Sequence, residues 1–94
     1  MRANMAMTPP TIKAIRAIDD RLIFELDQGR EVSLPLSASA RLAQATPAER
    51  ENWTIGSRGI SAHWPDVDED IAIWDVLGIA EDAYLRSLRE APVS

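Results

Sequence analysis

The residues able to do chemistry crowd into one stretch. "SAHWPDVDEDIAIWD", residues 61–75, holds the only histidine, His63, and two of the three tryptophans, Trp64 and Trp74. It also holds five carboxylates: Asp66, Asp68, Glu69, Asp70 and Asp75. That mixture suits a cation site, a histidine–carboxylate acid–base pair, or an acidic binding surface. Asp66, Asp68 and Asp70 alternate like the opening of a calcium-binding loop. Such a loop needs glycine at its sixth position and glutamate at its twelfth, and those places hold Ile71 and Leu77. A zinc site wants several cysteine or histidine ligands, and one histidine with no cysteine does not supply them. No metal and no cofactor is expected.

The acid–base reading pairs His63 with Asp66, Asp68 or Asp70 as base and orienter. No G-x-S-x-G elbow or comparable nucleophile motif accompanies it. The alternation of Ala62 and Trp64 with Ser61 and His63 sends His63 to the polar face of a strand. An acid–base or metal-assisted hydrolase is therefore the alternative, and a non-enzymatic protein is the expectation. The carboxylates after Pro65 then terminate a strand, accept backbone N–H bonds, or favour a helix N-terminus. Together with Trp53, Trp64 and Trp74, the residues Asp66, Asp68, Glu69 and Asp70 are the candidate protein interface, because exposed aromatics make binding anchors.

Charge narrows the partner. The chain has 94 residues and a formal net charge of -5. Residues 1–47 carry six Lys/Arg against five Asp/Glu, and residues 48–94 carry four against ten. An acidic half without a basic stripe is poor equipment for phosphates, so direct nucleic-acid binding is not expected. A protein with a basic surface fits better. No apolar run approaches the roughly 20 residues that span a bilayer, so no membrane partner is expected. The lack of cysteine fits a reducing cytoplasm. "MRANMAMTPP" has no apolar core of a signal peptide and reads as a flexible leader, with Met5 or Met7 as alternative starts.

The elements that must position these residues follow from period. In "RLIFELDQGREVSLP", Leu22, Phe24 and Leu26, then Val32 and Leu34, alternate with partners of the other face around "DQG". That pattern makes a hairpin with Gly29 in the left-handed position, closed by Pro35. "TIKAIRAI" is ambiguous, since Ile12, Ile15 and Ile18 recur at the helical spacing of three. It is best used as a third antiparallel strand reached through Asp19-Asp20. "SASARLAQA" reads as a short helix, and Thr46, Pro47 and Glu49 form a capping box opening a second. "WTIGSRGISAHW" repeats the hairpin logic and stops at Pro65. "DIAIWDVLGI" reads as a short strand over Ile71–Ile73 followed by a helical turn closed at Gly78, with a continuous short helix as the alternative. "AEDAYLRSLRE" is an amphipathic helix with Ala80, Tyr84 and Leu88 on one face, flanked by Leu85. The expectation is a small two-layer α+β domain, antiparallel hairpins packed with short helices and a C-terminal amphipathic helix. Its parts are a leader at 1–10, a single domain at 11–79, and a helix with its tail at 80–94.

"LIFELDQGREVSLPL", "RLAQATPAERENWTI" and "GISAHWPDVDEDIAIWDVL" together resemble the domain-of-unknown-function 2442 family of small prokaryotic proteins. The resemblance covers roughly residues 11–79, and "HWPDVDEDI" is its most specific block. Trp74 departs from the small or acidic residue common there, and Gln28 makes "DQG" of the usual "DG". The resemblance implies an α+β fold and no established activity. It also implies modules that stand alone, or join helix-turn-helix segments, or sit beside another small domain in toxin–antitoxin-type pairs. This chain has no helix-turn-helix to spare. The sequence therefore points to a protein-interaction module, one component of such a pair or of another regulatory pair. Edge pairing or packing of the C-terminal helix would also permit a homodimer.

Overall fold

A computed structural model describes residues 9–90. The first sheet is antiparallel, in the order β1 (Ile12–Ile18), β2 (Arg21–Leu26), β3 (Glu31–Pro35). Its register places Phe24 between Ile15 and Val32, and Leu22 between Ala17 and Leu34. The period-three isoleucines have a physical explanation in this register. A β-bulge between Ile12 and Ala14 inserts one residue, so Ile12 and Ile15 both face the core although an odd number of positions separates them. Ile18 falls on the other face and is exposed. At the β2–β3 turn, Gln28 as well as Gly29 has a positive φ, at 66° and 77°. The turn is thus tighter in its dihedral demand than a single left-handed glycine.

Leu36–Ala38 form a 3-10 turn, followed by α1 (Ala40–Ala43) and α2 (Pro47–Glu51). The helix predicted over 37–45 is shorter than its composition suggests. Ser39 interrupts it, with its hydroxyl accepting the N–H of Leu42 as the cap of α1. At α2 the capping box forms in full: Thr46 Oγ1 accepts the Glu49 N–H at 3.1 Å, and Glu49 Oε1 accepts the Thr46 N–H at 2.9 Å.

The second sheet runs β4 (Thr54–Ile55), β5 (Ser61–Trp64), β6 (Glu69–Ala72). The strands thus divide into two three-stranded sheets instead of one layer, because Pro35 ends β3 and the helical segment after it leads the chain away. β6 begins at Glu69, two residues before the expected start, and passes directly into α3 (Ile73–Leu77). Gly78 closes α3 with φ +73°. The last helix, α4, spans Glu81–Glu90.

One core unites these pieces. Ile12, Leu22 and Phe24 from the first sheet meet Ala62 and Trp64 from the second, with Leu42, Ile73, Val76 and Tyr84 from the helices. Tyr84 is fully buried, so α4 shares the core of residues 11–79, whereas Ala80 is exposed ahead of it. The Tyr84 hydroxyl donates to the Pro10 carbonyl at 2.5 Å, and Pro9 is buried. Pro9 and Pro10, inside the stretch expected to be leader, therefore belong to the packed body. Residues 1–8 lie outside the described residues. Among the described residues, no helix is long and apolar enough to cross a membrane.

Candidate functional site

The acidic stretch folds as a strand, a turn, a second strand and a helix, and this disperses its side chains. Pro65–Asp68 turn the chain between β5 and β6, with Asp68 in the left-handed region at φ 54°. Aspartate tolerates that region because its short side chain bonds locally. Asp66 points back to α2 and accepts from Asn52 Nδ2 at 2.9 Å. Asp68 lies beside Arg41, whose guanidinium also donates to the Asp68 carbonyl. These two aspartates orient a turn. Of the structural roles expected for the carboxylates after Pro65, accepting backbone N–H bonds is seen at Glu69, while a strand and not a helix follows the turn. Among the described residues, no group of three or more His, Asp or Glu converges as a cation cage would require.

Glu69 and Asp70 go opposite ways because β6 alternates. Asp70 lies on the solvent face directly across from His63, and His63 Nδ1 is 2.8 Å from Asp70 Oδ1. Thr54 of β4 occupies the same transverse row opposite His63. Glu69 pairs with Trp64, on the inner face. Its Oε2 accepts from the buried Ser39 hydroxyl at 2.6 Å, and its Oε1 accepts the Asp70 N–H at 3.0 Å. One chain of bonds thus runs from the Leu42 N–H through Ser39 to Glu69, tying the start of α1 to the edge of the second sheet.

That tie closes off a cleft. Leu34 at the end of β3, Ala38 and Ser39 after it, Glu69–Ile71 of β6 and Asp75 of α3 enclose a cavity of about 320 Å³. Leu34, Ala38 and Ile71 make it apolar. Glu69 and Asp75 make one side of it negative, Asp70 borders it with its carboxylate turned to His63, and Asp75 has no ion-pair partner among the described residues. Both strands bordering the cleft are outer strands, and their edges are blunted. Ile73 donates to the Ile60 carbonyl, and the register pairs His63 with Asp70. The Asp70 N–H therefore points outward, where Glu69 caps it. On β3, Pro35 has no N–H and Arg21 donates to the Ser33 carbonyl. Side chains thus cover part of each edge beside the cleft.

The tryptophans part company. Trp64 is wholly buried, its indole N–H donating to the Arg50 carbonyl at 3.0 Å, so it belongs to the core and offers no surface to a partner. Trp74 is half-buried against Tyr84, with ring centroids 6.0 Å apart. Trp53 is half-buried too, and its buried Nε1 has no hydrogen-bond partner. None of the three lines the cleft. Of the candidate interface residues, only Glu69 and Asp70 do. Leu34, Ala38, Ser39, Ile71 and Asp75 were missed. Ile71 and Asp75 sit within the acidic block, one on β6 and the other on α3, but nothing local in the sequence joins them to Leu34 or Ser39.

The Tyr84 phenol titrates above its ordinary value. Burial of the phenol raises its pKa, the negative charge of Asp27 raises it further, and Arg58 opposes both.

Comparison with known proteins bears on the fold and the family. The fold is shared with the crystal structure of a protein of unknown function from Rhodospirillum rubrum. The TM-score is 0.64 at 21% identity, covering 80% of this chain and 96% of that one. No curated protein matches. The family model described as "Protein of unknown function (DUF2442)" matches residues 12–80. The chain is a member of that family.

Proposed function

We propose that this protein is a non-enzymatic interaction module whose cleft takes a protein segment carrying Lys or Arg beside apolar side chains. The observation that carries the reading is the cleft itself: Leu34, Ala38 and Ile71 offer apolar contact, while Asp75 offers an unpaired negative charge and Asp70, bonded to His63, adds a second at the outer edge. An apolar pocket with a few placed charges gives both affinity and orientation to a bound side chain. A cation entering it needs no rearrangement of Glu69, whose two oxygens are already occupied. The charge asymmetry of the chain steers a basic partner toward this half. One component of a regulatory or toxin–antitoxin-type pair is the setting that suits such a module, in the cytoplasm.

The test is retention of host proteins by the wild-type chain and by an Asp70→Lys/Asp75→Lys variant, with mass spectrometry of what elutes. A partner held at low salt by the wild type and lost by the variant supports the reading. Identical retention by both, or nothing above background, removes it.

A second reading, an acid–base hydrolase, is favoured by the His63–Asp70 contact alone. Asp66 and Asp68 take no part, and no side-chain hydrogen bond joins Thr54 to His63. Hydrolysis of acyl or phosphoryl esters abolished by His63→Ala would establish it.

A further inference from the structure

A second surface of this molecule has the chemistry that the cleft would bind. Arg58, Leu85, Leu88 and Arg89 line a shallow groove of about 370 Å³ between the β4–β5 loop and α4. It shares no residue with the acidic cleft. Neither arginine has a hydrogen-bond or ion-pair partner among the described residues, unlike Arg86 of the same helix, which faces Asp82 at 3.9 Å. Leu85 and Leu88 are only partly buried. Arg58 stands at the tip of its loop with φ 65°, followed by Gly59 at φ 71°. A left-handed arginine costs roughly 1–2 kcal/mol that glycine would avoid. The β2–β3 turn repeats this geometry at Gln28 and Gly29, so what distinguishes the β4–β5 loop is the charge it carries there.

Resting on the reading of the cleft as a docking surface, we infer that a second copy of this chain is an occupant of that cleft. The Arg58–Arg89 groove of one copy meets the Asp70–Asp75 cleft of the next. Charge complementarity and the apolar pairs, Leu85 and Leu88 against Leu34 and Ile71, argue for it. Because the two surfaces differ, the contact is heterologous, so copies add head to tail. Ion pairs at the rim of such a contact are screened by salt, so association weakens as ionic strength rises.

Sedimentation velocity over a wide concentration series at low salt tests this. The wild type should gain mass with concentration, and an Arg58→Gly/Arg89→Ala variant and an Asp70→Lys/Asp75→Lys variant should each stay monomeric. Mixed one to one, the two variants should form a heterodimer that grows no further, since each retains one intact surface and caps the other. That last result also shows that both variants are folded. A wild type that stays monomeric to its solubility limit overturns the inference, as does association that survives both sets of substitutions. Monomeric wild type that still holds a foreign basic partner through Asp70 and Asp75 would sink this inference while leaving the proposed function standing.

Discussion

Ser39→Ala should loosen the wall of the cleft by an amount that follows from two contacts. The Ser39 hydroxyl caps α1 by accepting the Leu42 N–H at 3.1 Å, and loss of such a cap costs about 1 kcal/mol. The same hydroxyl donates to Glu69 Oε2 at 2.6 Å. A hydrogen bond to a charged group contributes about 1.5–3 kcal/mol when buried. Glu69 is half-exposed and water replaces part of that bond, so about 1 kcal/mol is the fair share. The variant should therefore lose about 2 kcal/mol. With a urea m-value of about 1 kcal/mol/M for a chain of this size, the midpoint should fall by about 2 M. Tryptophan fluorescence reports the transition, because Trp64 is sealed in the core and becomes exposed on unfolding. Glu69→Gln keeps an acceptor for Ser39 and should cost under about 1 kcal/mol. A cycle pairing Ser39→Ala with Glu69→Ala, which removes the acceptor, should fall short of additivity by about 1 kcal/mol, the signature of two residues in contact. A Ser39→Ala midpoint indistinguishable from wild type, or a strictly additive cycle, would refute the bond chain that is said to hold α1 against β6.

Other outcomes follow from the packing. Gly59→Ala should destabilise by more than Gly29→Ala or Gly78→Ala in the same urea assay. All three have positive φ, but a Cβ at Gly59 would meet the Thr11 Cβ at 2.9 Å and the Ile12 carbonyl at 3.0 Å, while the other two meet nothing. Arg58→Gly should match or exceed wild-type stability in thermal melts, since the left-handed strain it relieves is at least as large as the chain entropy it adds. Leu22→Ala, at a fully buried site between Ala17 and Leu34, should cost about 3–5 kcal/mol. In alkali the raised Tyr84 pKa predicts a definite sign. The native state holds the phenol proton more tightly, so its contribution is complete below the ordinary phenol value of about 10 and is lost as pH climbs through the raised native value. Tyr84→Phe, which cannot ionise, should show a flatter stability profile over that alkaline window, though it starts lower for want of the bond to Pro10.

What was legible in the sequence is what depends on near neighbours. The β2–β3 alternation, the Thr46–Glu49 capping box, the stop at Pro65 and the glycine closing α3 are all set within a few residues, and each forms. The isoleucines of β1 read ambiguously, because a bulge and a helix both place residues three apart on one side, and it was the neighbouring hairpin that decided for the strand. The cleft was half legible. Glu69 and Asp70 stand out as charges in sequence, but which face each takes depends on β6 starting at Glu69 and not two residues later. The Ser39–Glu69 bond joins positions 30 residues apart, and no local rule pairs a helix cap with one particular carboxylate. Trp64 looked like a possible anchor by type, yet its place opposite Glu69 in the middle strand of a covered sheet makes it core.

The docking role of the cleft is tested most directly by backbone amide shifts during titration with a short peptide of alternating lysine and leucine, beside a glutamate–leucine control. Shifts should gather at Leu34, Ser39, Glu69–Ile71 and Asp75, weaken with added salt, and vanish in Asp70→Lys/Asp75→Lys. Shifts scattered over the surface, or equal for the two peptides, would contradict it.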